Sequence, residues 1–383
     1  MRGKIKVLHV IGTFQDGGTE SLMIDILSRL DKERFELTAC SPEVNCKPAV
    51  VEKFQAKGIR THLFKENSGP GLILSMRRYI SKDCFDIIHT HHYTWNTLGR
   101  IAAILAGAPN ILTYNHNWPG TEKTRHRVLF RFLNSWTKKN IVVSETVRRY
   151  FTDVVGISPD KVVKISNGID LDVFSPPAEE TKTEIKKELN IPLNAFIVGF
   201  AGRLIGWKRP DLFIKTASLL AKLDPDMYFI VAGDGEKKKE LKKMAEELGL
   251  NSKITFLGWR PDMHRIYQAM DVFTVLSESG GNRFNDEGFS LVSAEAMATG
   301  LPLAGVDNDI NREVMGIDAA IFGKAEPGNI AYNIRLLSEN EPLRKKLGLA
   351  GRKKAERDYD IGNKAKLLSE IYECVVQVNR CVR

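Results

Sequence analysis

The chain is poor in the features that mark secreted, disulfide-bonded or membrane-spanning proteins. Its 383 residues hold five cysteines, Cys40, Cys46, Cys84, Cys374 and Cys381, odd in number, scattered and never spaced CxxC. Neither a disulfide framework nor a zinc site is expected from them, and a reducing cytoplasm fits best. No apolar run approaches the ~18 residues that a membrane-spanning helix needs. Met1-Arg2-Gly3-Lys4 runs straight into an apolar stretch ending near Gly12. That stretch is too short for a secretory signal peptide, and no small-residue cleavage site follows it. No low-complexity tract and no short internal repeat is visible.

Apolar residues make up 43% and charged residues 27% of the chain, a globular composition. At roughly 100–200 residues per domain the length suggests two domains. The net charge of +9 favours anionic partners without choosing among nucleic acid, anionic lipid and phosphorylated ligands. Short apolar runs alternate with amphipathic segments. Strands are expected at Ile5–Ile11, Phe35–Ala39, Ile59–Leu63, Ile87–Thr90, Asn110–Tyr114, Ile141–Ser144 and Lys161–Ile165, and again at Ile197–Ala201, Tyr228–Ala232, Ile254–Leu257, Val272–Val275 and Leu303–Val306. Such alternation implies parallel sheets covered by helices on both faces. It restarts once, after Phe174-Ser175-Pro176-Pro177-Ala178-Glu179-Glu180, which reads as a linker. The expected organisation is therefore α/β, with two doubly wound Rossmann-like domains at 1–175 and 176–358. A last helix within 359–383 is expected to pack back on the first domain. In open α/β sheets ligands sit at the carboxyl ends of strands, so two such domains facing one another would hold a ligand in the cleft between them.

Three segments carry candidate chemistry, and several histidines and two DxD patterns stand beside them. The turn Gly12 to Glu20 leads from the first strand into a helix, and Gly17 and Gly18 would let its backbone approach an anion at the helix N-terminus. Gly18-Thr19 stands where a P-loop needs Lys-Ser/Thr, and no GxGxxG follows the strand, so neither a Walker A motif nor a dinucleotide dehydrogenase is supported. The second domain opens with a strand running into Gly202-Arg203-Leu204-Ile205-Gly206-Trp207-Lys208, a loop whose Arg fork and Lys point charge suit a phosphate. Glu287 is read as a loop residue, and Glu295 as lying on the helix that follows. Amides near Phe289, Ser290 and Leu291 would face an anion between two carboxylates able to grip hydroxyls. His89 reads as a packed core histidine and His92 as outward-facing. His116 is balanced between a cleft residue and a plain turn residue. The DxD patterns Asp224-Pro225-Asp226 and Asp307-Asn308-Asp309 read as a turn and as a post-strand loop.

In order along the chain stand Gly17-Gly18-Thr19-Glu20, Asp86-Ile87-Ile88-His89-Thr90-His91, Val143-Ser144-Glu145, Asn167-Gly168-Ile169-Asp170, Gly202-Arg203-Leu204 with Lys208, Gly233-Asp234-Gly235, Phe256-Leu257-Gly258, and Glu287-Gly288-Phe289 through Glu295. Together they resemble the family-4 retaining glycosyltransferases of GT-B fold, the bacterial cell-surface glycan type, over about residues 5 to 376. The resemblance implies that Arg203 and Lys208 hold the diphosphate of a nucleotide sugar and that Glu295 takes the ribose hydroxyls. Glu287 would contact the donor sugar, with the backbone of Phe289, Ser290 and Leu291 beside the phosphates and sugar. Gly17, Gly18 and Gly202 would border the donor, and His91 would line the transferred sugar near the anomeric centre. On the acceptor side it points to His116 and Asn117. It implies front-face transfer, in which the leaving phosphate accepts the acceptor's proton, and no metal or other cofactor. No carboxylate pair is obviously placed as nucleophile and acid, which suits catalysis by positioning and electrostatics.

Two departures from the family pattern touch specificity. The segment 276–286 is longer than the usual short Pro-Ser-type loop, and Asp309-Ile310-Asn311-Arg312-Glu313 replaces a Gly-Gly-x-Pro-Glu segment. Thr121–Lys139 combines Lys123, Arg125, Arg127, Arg131, Lys138 and Lys139 with Val128, Leu129, Phe130, Phe132, Leu133 and Trp136, the pattern of a basic amphipathic helix. It fits contact with an anionic membrane from the cytoplasmic side, or simply a helix packed on its sheet. The expected function is transfer of a sugar, UDP-linked, to a hydroxyl of a glycan, a lipid-linked saccharide or a small alcohol. The alternative is a nucleotide-sugar-binding regulatory protein without turnover. Nucleic acid is not an expected partner.

Overall fold

The computed structural model describes residues 3–118, 124–278 and 286–381. It divides into two units: Met1–Gly168 with Asn282–Phe289 and Ile361–Arg383, and Ile169–Gly281 with Ser290–Asp360.

The first unit is built on a seven-stranded sheet. Its strands are β1 (Ile5–Val10), β2 (Phe35–Pro42), β3 (Arg60–Phe64), β4 (Ile87–His91), β5 (Ile111–Asn115), β7 (Thr137–Val142) and β8 (Val162–Lys164); β6 (Asn117–Trp118) lies outside it. The sheet order is β3-β2-β1-β4-β5-β7-β8, and every neighbouring pair is parallel. The chain winds outward from β1 to β3 and then returns to β4 on the other side of β1. That reversal is a topological switch point, where the loops after two adjacent strands part and leave room for a ligand. Gly12 to Gly18 follow β1 there, and His91 ends β4. The helix Ile361–Cys381 belongs to this unit and lies along the helix Gly18–Ser28.

The second unit repeats the plan with six strands: β9 (Phe196–Ala201), β10 (Met227–Ala232), β11 (Ile254–Gly258), β12 (Val272–Val275), β14 (Leu303–Val306) and β15 (Ala320–Gly323), in the order β11-β10-β9-β12-β14-β15. All neighbours are again parallel. Central strands of such sheets are buried on both faces, so β9 and β12 are apolar almost throughout. The helix Pro210–Leu223 starts on proline, whose fixed φ suits the first turn. Leu212, Phe213, Ala217 and Leu220 on it share one core with Val198, Phe200 and Phe229 of the sheet. The switch point lies between β9 and β12, so Gly202 and Arg203 leave the sheet at the place where a ligand is expected.

Several local expectations are corrected. Glu287 is a strand residue, in β13 (Asp286–Glu287), rather than a loop residue. Glu179 and Glu180, read as linker, open the helix Glu179–Glu188. The basic segment is not one helix: Thr124–Leu133 is helical, Lys138 and Lys139 lie in β7, and 121–123 fall outside the described residues. Of the longer loop 276–286, residues 279–285 also lie outside them. His92 does not point outward. Its ring is half-buried and packs on His116 with centroids 5.0 Å apart.

Candidate active site

In the second unit, β9 ends at Ala201 and the chain turns at Gly202, with φ +144. The loop after β10 presses against this turn. Gly202 N donates to Ala232 O at 3.0 Å and Leu204 N to Asp234 O at 2.9 Å. Gly233 has φ +131, and a Cβ there would stand 1.9 Å from Gly202 O, so only glycine fits. Arg203 is exposed at the head of this loop, and Gly206–Lys208 forms a short 3-10 turn. The Trp207 indole gathers the two cations: Arg203 Cζ lies 5.8 Å and Lys208 Nζ 4.6 Å from its ring centroid. Cation–π attraction at these distances holds two positive side chains beside one ring. Arg209 is tied to Asp211 and Glu278.

Glu295 lies on the helix Leu291–Ala298 of the same unit. It is half-buried and accepts a 2.9 Å hydrogen bond from Tyr267 Oη. Burial pushes its carboxyl up to about 7, against the opposing effect of the Tyr267 bond. A solvated helix glutamate would show neither feature. Ser290, the residue before this helix, is fully buried and accepts from Ser293 Oγ at 2.6 Å.

Both DxD patterns make local hydrogen bonds or ion pairs. Asp224 Oδ1 accepts from Asp226 N at 2.9 Å, closing a turn. Asn308 Oδ1 caps the helix Asp309–Met315 by accepting from Asn311 N at 2.9 Å, while Asp307 pairs with Arg312.

The first unit holds the remaining candidates. Gly17 precedes the helix Gly18–Ser28, and the buried Glu20 carboxylate fills the space a side chain at 17 would take, with Oε2 2.5 Å from that Cβ position. Buried Phe289 falls in this unit as well. Glu287, also buried, sits on β13, which pairs antiparallel with β6 so that Glu287 stands opposite Asn117 and Asp286 opposite Trp118.

Beside this ladder, at the carboxyl ends of β1, β4 and β5, five histidines meet. His9 and His89 are register partners across β1 and β4, and His91 stands beside Tyr114 of β5. His9 Nδ1 lies 3.1 Å from His91 Nε2, and His91 Nδ1 lies 3.3 Å from His116 Nε2. Tyr372 Oη, from the last helix, lies 2.6 Å from His89 Nδ1 and 3.4 Å from His9 Nε2. Burial holds every one of these imidazoles neutral: His9 is lowered to about 3, His92 to about 4, and His89, His91 and His116 well below the usual value. His91 is thus fully enclosed, with one histidine on each ring nitrogen. Among the described residues, His9, His89 and His91 are the group whose ligand atoms, all within 4.8 Å of one another, could hold a metal ion. Mutual hydrogen bonds already occupy most of those atoms.

The sequence singled out Arg203, Lys208 and Glu295 as candidates but not the residues that arrange them. Trp207 stood between the two cations as a visible signal. Nothing local announced Tyr267, His9 or Tyr372.

Comparison with known proteins places the chain. The family model described as Glycosyltransferase Family 4 matches residues 16–173, and that for glycosyl transferases group 1 matches 181–354. The chain is 31% identical over 315 residues to UDP-Gal:alpha-D-GlcNAc-diphosphoundecaprenol alpha-1,3-galactosyltransferase of Escherichia coli, covering 78% of each chain. It is 27% identical over 345 residues to D-inositol 3-phosphate glycosyltransferase of Corynebacterium urealyticum, covering 82% of this chain and 76% of that one. The crystal structure of Anabaena HepE in complex with UDP-glucose superposes with a TM-score of 0.83 at 21% identity, over 97% of this chain and all of that one. Sucrose-phosphate synthase from Thermosynechococcus elongatus gives 0.78 at 16% identity, over 97% and 100%. These two structures speak for the shared fold alone. Family models over both halves and a 31% identical relative together show that this chain belongs to the family-4 glycosyltransferases of GT-B fold.

Proposed function

We propose that this glycosyltransferase moves a sugar from a UDP-linked donor, with retention of anomeric configuration, to a hydroxyl of a lipid-linked saccharide. The observation that carries the reading is the second unit's loop at its switch point, where Trp207 gathers Arg203 and Lys208 at the end of β9. Two cations there suit a diphosphate and stabilise the charge that develops on it as the glycosidic bond breaks. Glu295, oriented by Tyr267, takes the ribose hydroxyls, and Glu287 the sugar hydroxyls. The backbone of Gly17, Gly18, Gly202, Phe289, Ser290 and Leu291 borders the donor, and the acceptor side is assigned to His116 and the Asn117 position. His91 lines the transferred sugar near the anomeric centre, and its two ring nitrogens, each beside a histidine, also hold His116.

In the transfer, the acceptor oxygen bonds to the anomeric carbon as the bond to phosphate breaks. The acceptor's proton passes to a phosphate oxygen on the same face. The cationic pair supplies the countercharge, and the reaction needs no metal.

Support for the donor and acceptor classes comes from the Escherichia coli relative, whose name specifies both a UDP-sugar and a diphosphoundecaprenol-linked acceptor. The surface of the first unit fits peripheral work on the cytoplasmic face of a membrane. On and just after the helix Thr124–Leu133, Val128 is 62%, Phe132 60% and Trp136 45% exposed, beside exposed Arg125 and Arg131. Apolar anchors among cations bind anionic bilayers. No described helix is long and apolar enough to cross one.

The test is transfer from UDP-glucose, UDP-galactose and UDP-N-acetylglucosamine to a polyprenyl-diphosphate-linked saccharide, with the product's anomeric configuration read by proton NMR. An α-linked product from an α-linked donor supports the reading. A β-linked product overturns retention, and tight donor binding with no turnover in any pairing favours the regulatory alternative.

A further inference from the structure

Four histidines of the first unit join with Tyr372 into one chain of hydrogen bonds: His89 Nδ1, Tyr372 Oη, His9, His91, His116. His9, His89 and His91 are fully enclosed and His116 is 4% exposed, so a mismatched donor there is shut off from bulk solvent. A neutral imidazole has one N–H and one lone pair, so a chain of such rings must run in one direction from end to end. The ends decide which. His89 Nε2 is buried with no partner. At the other end His116 Nδ1 and Asn167 Oδ1 are both buried and unmatched, and the Asn167 side chain favours the protonated ring.

Were Tyr372 to donate to His89, the His89 proton would sit on Nε2, an N–H with nothing to receive it. Asn167 Oδ1 would be left facing a lone pair. In the opposite direction His89 Nδ1–H donates to Tyr372, Tyr372 to His9 Nε2, His9 Nδ1–H to His91 Nε2, His91 Nδ1–H to His116 Nε2, and His116 Nδ1–H points to Asn167. Only a lone pair on His89 then goes unused. Orphaned lone pairs are more common in protein interiors than orphaned N–H groups.

We propose that His9 is a positioning residue for the transfer reaction: by donating to His91 within this one-directional chain it fixes His91 as the Nδ1–H tautomer, and through it fixes the ring of His116. Tyr372 ties the chain to the last helix and supplies the proton that keeps His9 in register. The catalytic meaning rests on the proposed place of His116 beside the acceptor; the tautomer does not.

The experiment therefore has two arms on the full-length enzyme. Nitrogen-15 NMR of histidine-labelled protein, with His91 assigned by its loss in His91→Gln, reads the proton positions. The expected result is Nδ1–H on His91 at neutral pH, and in Tyr372→Phe a redistribution of tautomers at His9 and His89 in a folded protein. Kinetics form the second arm. His9→Asn, whose amide can replace the Nδ1 donor, retains kcat within about threefold, whereas His9→Leu lowers kcat about tenfold or more with donor KM little changed. An Nε2–H tautomer at His91 overturns the proposal, and so does one equivalent of tightly held zinc in the purified protein, since a metal would take the lone pairs. Equal rates for the two His9 variants overturn the positioning role while leaving the donor reading intact. Absence of transfer in the wild type contradicts the proposed function, and the tautomer is still decided by the NMR arm.

Discussion

Glu287 stands directly opposite Asn117 in a two-residue antiparallel ladder, so the residue proposed to grip the donor sugar is anchored by backbone pairing to the segment that follows β5. Glu287 is buried, on a paired strand rather than in an unpaired loop. Glu287→Gln keeps the backbone ladder and removes only the charge. Hydrogen bonds to charged groups contribute about 1.5–3 kcal/mol. The variant should lose about 10–100-fold in kcat/KM and keep its melting temperature within a few degrees, as steady-state kinetics and calorimetry would record.

The cationic loop depends on its neighbour. Gly233→Ala places a methyl group where Gly202 O already lies 1.9 Å away, at a φ of +131. The forced shift should cost at least the ~1–3 kcal/mol of a strained backbone. It should also displace Arg203, so urea denaturation will show lower stability and titration calorimetry a weaker nucleotide affinity than Gly249→Ala. At Gly249 a Cβ meets nothing within 4 Å, which makes that variant the control for backbone strain alone.

The buried histidines make the fold acid-sensitive. Their folded pKa values lie below the unfolded value, with His9 at about 3, so the unfolded chain binds the extra protons. The rings face one another, Tyr114 and Tyr372, both phenols being held neutral by burial. Stability is then fully present above pH 6.5 and is lost as pH falls, by up to about 1.4 kcal/mol per pH unit for each histidine kept neutral. Urea midpoints measured at pH 7.5, 6.5 and 5.5 should fall steeply over the last interval. A flat profile would mean that the histidines are charged or exposed.

Glu295 sets a pH dependence on ligand binding rather than on stability. Its carboxyl is raised to about 7, with the Tyr267 hydroxyl opposing the rise. Tyr267→Phe removes that donor and should push the carboxyl higher. Affinity for a nucleoside diphosphate plotted against pH should then reach its plateau at higher pH than in the wild type. Unmoved profiles would show that ionised Glu295 does not touch the ribose.

Much of the scaffold was legible because central strands of a parallel sheet are continuous apolar runs. The expected Ile197–Ala201 lies within β9 (Phe196–Ala201), and Val272–Val275 matches β12. The helix Glu179–Glu188 was obscured because Pro176 and Pro177 precede it and only Ile185 and Lys186 are buried on it. The ladder of β6 and β13 could not be read locally, since two residues on each side carry no periodicity and their partners lie far apart in the chain. His9 was hidden inside an apolar strand, and its meaning appears only when sheet order brings β4 beside β1. Arg203, Lys208 and Glu295 were readable because charges at a strand end and in an apolar helix are out of keeping with their surroundings.

The metal-free account of the diphosphate also has a direct check. Prior treatment with EDTA should leave the initial rate of transfer within about twofold, while Lys208→Ala should lower it by about 100-fold, the scale of losing one preorganised electrostatic contact.

The central claim is that the loop after β9 binds the donor diphosphate. It is tested most directly by calorimetric titration of UDP, ADP and GDP into the wild type and Arg203→Ala. The account predicts that UDP binds the wild type alone among the three, and that Arg203→Ala, unchanged in melting temperature, loses about tenfold or more in affinity, as expected when a charged hydrogen-bond partner is removed. Equal UDP affinity in both proteins, or no nucleotide binding in either, would contradict it.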